Sequence, residues 1–185
     1  YGRYQSSEEV ATQDLLETSD FIINKFSPDL LLIHVQDIDH IGHTKGIGED
    51  YNQAIEGLDE LLGIFIQDWM KEYTIVICAD HGMDTYKTHG GAICDTVHIP
   101  FYILSNHLMS LPGMKQLQKQ KNIHQTDIAR IVLEIMGVKG FGAYQTKLFK
   151  SIHYKPSFNC NNYVTKTAAT PDDLSLIHIS EPTRP

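Results

Sequence analysis

Five residues in two short stretches have the types and spacing that bind divalent metal. The first stretch, Gln36–Gly46, reads Q-D-I-D-H-I-G-H-T-K-G and holds Asp39 and His43 four positions apart. A single helical turn brings side chains at that spacing onto one face. A carboxylate with an imidazole is a usual zinc-ligand mixture. The second stretch opens A-D-H-G-M, so Asp80 and His81 leave a strand end together. Gly82 gives the chain freedom to turn sharply, which lets adjacent residues face one ion. Eight residues after His81, His89 stands before Gly90 and Gly91. Asp-x-x-x-His is a weak signal alone; two such stretches at equivalent strand ends are a far more specific one. Asp37 is either a carboxylate that orients a ligand histidine or a solvated loop residue. His40 points outward or touches substrate. The string D-I-D-H-I-G begins like a calcium loop, but that loop needs a polar fifth residue and an acidic twelfth. This chain has Ile41 and Gly48 there.

The elements that must position these residues alternate along the chain. Ser6, Ser7, Glu8 and Glu9 read as a helix start. Val10, Leu15, Leu16, Phe21, Ile22 and Phe26 then predict a helix over about residues 7–26. Pro28 precedes an apolar strand, Asp29–Val35, in which His34 reads as a core histidine. A loop over Asp37–Gly48 carries the first stretch. Ile55, Leu58, Leu61, Leu62, Phe65 and Ile66 recur at three and four, predicting a helix from about Glu49 to Lys71. Tyr73–Ala79 and Ile99–Leu104 read as further strands, with Cys78 as a small buried residue. A last helix is expected from about Thr126 to Met136, stopping near Gly137. Unbroken apolar strands separated by helices predict an α/β fold with a mainly parallel sheet and helices on both faces. In such sheets binding residues collect beyond the carboxyl ends of the strands.

D-H-I-G-H at 39–43, A-D-H-G-M at 79–83 and H-G-G at 89–91 resemble the metal-binding motifs of the alkaline phosphatase superfamily. Gly46, Tyr51, Asp59, Pro100 and T-D-I-A-R-I-V-L-E-I-M-G-V at 126–138 agree with its surroundings. The nearest branch by motif is the type I phosphodiesterase/nucleotide pyrophosphatase group. Lipid-linked ethanolamine phosphate transferases and cofactor-independent phosphoglycerate mutases belong to the same superfamily. The resemblance implies an alkaline phosphatase-like fold, incomplete at the N-terminus. It implies that Asp39, His43 and His89 hold one metal and that Asp80 and His81 hold the other. The second metal also takes an Asp and a nucleophilic Thr or Ser from an upstream region. Two divalent ions are expected, Zn2+ by ligand type and Mn2+ as the second choice. The implied chemistry is hydrolysis of a phosphodiester or pyrophosphate bond through a phospho-Thr or phospho-Ser intermediate. Residues 1–185 alone are then expected to be inactive. A phosphotransferase or phosphomutase on the same scaffold, or an inactive metal-binding homologue, are the alternatives. His98, just before Ile99 and Pro100, competes with His89 as third ligand; the interval from His89 to Pro100 matches the phosphodiesterase branch. Thr44, Thr85, Thr88 and Thr96 lie near the motifs, but none stands where the family has its nucleophile.

Composition bounds the partners. The net charge of −8, without a Lys/Arg run, argues against a nucleic-acid polymer or an anionic membrane surface. A small-molecule phosphate ester remains compatible, because bound metal supplies local positive charge. The three cysteines, Cys78, Cys94 and Cys160, have no paired spacing. No apolar run reaches transmembrane length, so no membrane anchor is visible. The resemblance favours an extracytoplasmic or secretory-lumen setting. Residues 1–150 read as the C-terminal part of a catalytic domain, cut through rather than begun at Tyr1. Residues 151–173 read as an irregular extension. Residues 174–185 begin LSLIHISEPTR, which resembles a translated sequencing adapter; they are read as non-native and set aside.

Overall fold

The computed structural model describes residues 11–90, 93–111, 114–117 and 123–138, and the backbone of Leu176–Ser180. The chain divides into two compact units, Tyr1–Asp68 and Trp69–Pro185.

Three helices make up the described part of the first unit. Helix α1, Thr12–Phe26, has Asp14 in its first turn and Lys25 in its last, as the helix dipole favours. It ends where Ser27 takes a left-handed φ of 43° and its N–H bonds Ile23 O. Thr12, Leu16 and Ser19 form its buried stripe. The predicted residues before Thr12 lie outside the described range. Helix α2, Asp37–Lys45, occupies what the sequence suggests is a loop. Asp37 and Asp39 sit in its first turn, and Gly46 ends it at φ 84° with its N–H on Gly42 O. Those two signals, acid at the start and glycine at the stop, are the local reasons for the helix. Helix α3, Glu49–Trp69, runs as its apolar period predicts, with Glu49 and Asp50 in the first turn. Among the described residues no helix is long and apolar enough to cross a membrane.

Between α1 and α2, Asp29–Val35 is not a strand. The segment has no ladder partner among the described residues, although burial alternates along it with period two. Leu30, Leu32 and His34 are exposed, Leu32 at 89%, while Leu31, Ile33 and Val35 are half-buried. His34 is therefore not a core histidine. Alternation is a property of extended backbone, whereas a strand exists only when a second chain segment takes up its hydrogen bonds.

The second unit is built on strands β1 (Ile75–Cys78) and β2 (His98–Leu104), both close to expectation. Between them lies helix α4, Cys94–Val97. Helix α5 (Met114–Leu117), strand β3 (Ile123–His124) and helix α6 (Ile128–Ile135) follow, then β4 (Leu176–Ser180). Helix α6 ends at Gly137, φ 72°, as predicted. The sheet order is β1-β2-β4-β3. β1 runs antiparallel to β2 with Ile75 opposite Leu104 and Cys78 opposite Phe101. β2 is antiparallel to β4, and only β3 and β4 are parallel. This described sheet is mixed, not mainly parallel: an apolar run reports burial, but its direction is set by how the connection returns. The set-aside tail thus supplies β4. Its LIHIS run is rich in β-branched and apolar residues, a composition that pairs with any open strand edge, whatever its origin.

The core of this unit is Ile99, Phe101, Ile103, Met114, Leu117, Ile123 and Ile131, all buried. Each such side chain contributes about 1.5–3 kcal/mol relative to exposure. The odd-numbered positions of β2 point into this core, so the strand is pinned in register. Cys78, by contrast, is exposed at the end of β1.

Candidate metal centre

In the first unit, α2 brings Asp39 Oδ1 to 3.4 Å from His43 Nε2 across one helical turn. The i,i+4 geometry alone delivers this approach. Tyr51, half-buried in the same unit, has its phenol pushed above the ordinary range, first by burial and then by the Asp39 charge. Asp37 receives a hydrogen bond from the Thr12 hydroxyl, which ties the start of α2 to the start of α1. That contact makes Asp37 a structural carboxylate. Thr44 donates its hydroxyl back to His40 O at 2.8 Å, as helical threonines commonly do. His40 is exposed.

In the second unit, Asp80 and His81 follow β1, with Asp80 Oδ2 at 3.5 Å from His81 Nε2. His81 Nδ1 lies 3.0 Å from Gly82 O. A carbonyl only accepts, so Nδ1 donates, and the neutral ring would present its Nε2 lone pair on the Asp80 side. This backbone partner is the kind of outer contact that fixes a ligand histidine's tautomer. Gln125 Nε2 donates to Asp80 O at 2.6 Å and holds the strand exit from a point 45 residues away in sequence. Gly82 is required for close approach: a Cβ there would sit 1.9 Å from Asp95 O. Its N–H bonds Thr96 O at 3.0 Å, seating the turn against α4.

The ring of His89 stacks on that of His81, with centroids 3.6 Å apart and planes 14° from parallel. His98 is elsewhere engaged, its Nδ1 3.2 Å from Cys94 O. Thr96 is buried and donates to Ile93 O, and Thr88 donates to Asp84 Oδ2. Cys78, exposed at the end of β1 but partly desolvated by its neighbours, has its thiol pushed up first by that desolvation and then by the Asp80 charge.

The donor set fits divalent metal. Each unit pairs a carboxylate oxygen with an imidazole nitrogen at a separation two ligands of one ion can adopt, and the Gly82 O contact orients the His81 ring. Sequence reasoning passed over Asp84, whose carboxylate organises the turn before His89. Its bond from the Tyr86 N–H, two residues on, is the Asx-turn pattern, which an aspartate in a loop commonly forms. Gln125 has no comparable local signal.

The model of the Metalloenzyme superfamily matches residues 2–140. The human "GPI ethanolamine phosphate transferase 2, catalytic subunit" is 27% identical over 127 residues, 64% of this chain and 13% of that protein. The "2,3-bisphosphoglycerate-independent phosphoglycerate mutase" of Trichodesmium erythraeum is 28% identical over 141 residues, 73% of this chain and 26% of that protein. The mutase of the same description from Acetivibrio thermocellus is 29% identical over 147 residues, 71% of this chain and 27% of the relative. The chain thus spans between about an eighth and a quarter of these relatives' lengths. No solved structure matches it.

Proposed function

Because the chain belongs to the alkaline phosphatase-like Metalloenzyme superfamily, we propose that it supplies metal ligands to an enzyme that transfers phosphoryl groups using two divalent ions. The observation that carries this reading is the stack of His81 on His89. Rings 3.6 Å apart and 14° from parallel bring two imidazole donors together beside Asp80, as a site built to hold two ions would require.

Asp39, His43 and His89 are assigned to one ion, and Asp80 and His81 to the other. Zinc suits these oxygen and nitrogen donors best, with manganese next. When bound, the pair supplies Lewis acidity toward a phosphoryl oxygen. The chain's own residues present the donors: α2 holds Asp39 beside His43, and Gly82 O engages His81 Nδ1 while Nε2 faces Asp80. The nucleophile, a Thr or Ser forming a phospho-enzyme, is assigned to a region outside these residues. Thr44, Thr88 and Thr96 each direct the hydroxyl to a neighbouring acceptor, which argues against them in that role. The mainly parallel, two-sided sheet is likewise assigned to the complete domain, in which Asp29–Val35 would find a strand partner.

The substrate is a small-molecule phosphate ester. With water as acceptor the reaction is phosphodiester or pyrophosphate hydrolysis, the reading drawn from the motifs. With an alcohol as acceptor it is phosphotransfer, which the identities of the relatives, a transferase and mutases, favour. The test uses full-length protein and an aryl phosphodiester, with and without added ethanolamine. The expected result is aryl-alcohol release that stops on chelation and returns with zinc. A phosphorylated ethanolamine product would assign transfer, and its absence hydrolysis. Bound metal without turnover would favour an inactive homologue, and absence of stoichiometric metal would overturn the ligand assignment.

A further inference from the structure

We propose that Asp84 is a positioning residue for His89, closing the turn over residues 84–88 so that the His89 ring is delivered onto His81. The inference rests on the metal reading of His81 and His89 above.

The turn is exposed. Thr85 through Gly90 are all exposed, Tyr86 at 84%, so no apolar burial fixes their path. Asp84 is the exception at 5%. Its Oδ1 accepts the N–H groups of Tyr86 and Thr88, both at 2.8 Å, and its Oδ2 accepts the Thr88 hydroxyl at 2.8 Å. Its own N–H donates to Thr88 O at 2.8 Å, and its C=O accepts from Lys87 N at 3.2 Å. Together these bonds lock both ends of a five-residue ring. Lys87 is held at φ 63°, a left-handed angle that a lysine adopts only when its surroundings enforce it. The residue after this closed ring is His89. On the other side, buried Met83 and the tight seat of Gly82 against Asp95 O anchor the ring beside His81. His81 and His89 are eight positions apart with no regular element between them, and they meet face to face because Asp84 draws the intervening chain into a loop. The donors also hold the Asp84 carboxyl below the usual carboxylate range, the Thr88 backbone N–H contributing most. Asp84 is thus an acceptor for protein donors, not a further ligand.

The experiment compares wild type, Asp84→Ala, Asp84→Asn and His89→Ala in the full-length protein. Zinc affinity is read by chelator competition, the cobalt-substituted visible spectrum reports ligand geometry, and circular dichroism reports folding. Asp84→Ala is expected to weaken one of the two ions by about 10–100-fold and to alter the cobalt spectrum, the range found when the supporting contacts of metal ligands are removed. Asp84→Asn keeps an oxygen for the Tyr86 and Thr88 N–H groups and should recover much of that loss. His89→Ala should lose the same ion outright. Unchanged metal affinity and spectrum in folded Asp84→Ala, with His89→Ala defective, would overturn the positioning role alone. Unchanged binding in His89→Ala would overturn the metal reading and this inference with it. If Asp84→Ala does not fold, Asp84→Asn and Thr88→Val take its place. Each should weaken the same ion to a smaller degree, and wild-type affinity in both would refute the role.

Discussion

In α2, Asp39 and His43 are carried by nine helical residues, and the backbone repeat itself sets them 3.4 Å apart. Asp80, His81 and His89 lie where no regular element runs, and their arrangement depends on particular contacts: Gly82 against Asp95 O, Gln125 on Asp80 O, and Asp84 on Tyr86 and Thr88. The helical pair is robust to its neighbours' identity. The loop-borne set is fixed by single residues, any one of which can release it. Helical ligands are therefore expected to fail only when they are themselves replaced, and loop-borne ligands also when a supporting residue is replaced.

The largest effect is expected from the ligands of either stretch. His89→Ala and His43→Ala in full-length protein should each lower metal-dependent turnover more than about 100-fold, beyond the loss typical of a supporting residue. Full activity in either variant, measured as aryl-alcohol release, would break the assignment for its stretch. Next comes Gly82→Ala, whose new Cβ meets a backbone oxygen that cannot move aside. Overpacking of this kind costs about 1–3 kcal/mol or more. Thermal melting should register it, while Gly48→Ala, with open space around it, should melt like wild type.

The acid limb of stability offers a third test. The Asp84 carboxyl is depressed in the fold below its ordinary value of 3.8. Its contribution is therefore fully present above that value, and is lost as pH falls from about 3.8 through the lower folded pKa. In metal-free protein, the melting-temperature gap between wild type and Asp84→Asn should be constant from neutral pH down to mild acid and shrink below it. A gap that grows with acid would contradict the hydrogen-bonded carboxylate. A smaller effect is expected at the helical stretch. Thr12→Val removes the hydroxyl bond to Asp37 and should cost about 1 kcal/mol in chemical denaturation without changing metal affinity. The smallest is Thr44→Val, whose loss of the bond to His40 O should stay within about 0.5 kcal/mol and leave activity intact. Abolished activity would instead make Thr44 a reacting group.

Legibility followed the range of the interactions involved. Helix α3 and the end of α6 at Gly137 could be read because periodicity and a glycine stop act within a few residues. The i,i+4 pair in α2 was legible as spacing, although the helix itself was expected to be a loop: Ile38 and Ile41 are the apolar side chains among its nine residues, which gives little apolar period. Asp29–Val35 was read as a strand from its apolar run, and the structure leaves it extended with Leu32 exposed. The described sheet is mixed for a reason of the same kind: an apolar run is silent on which neighbour will take up its hydrogen bonds. Asp84 is harder to read because two of its partners are backbone N–H groups, which every sequence possesses.

The sequence by itself determined the donor types, their order and the close approach of Asp39 to His43, because helical backbone geometry is local and nearly independent of context. Only the tertiary structure decided that β1 and β2 run antiparallel and that Gly82 is needed for contact with Asp95 O. It also brought the His81 and His89 rings to 3.6 Å. Those outcomes depend on which distant backbone groups meet, and a linear pattern of side chains does not encode such meetings one residue at a time.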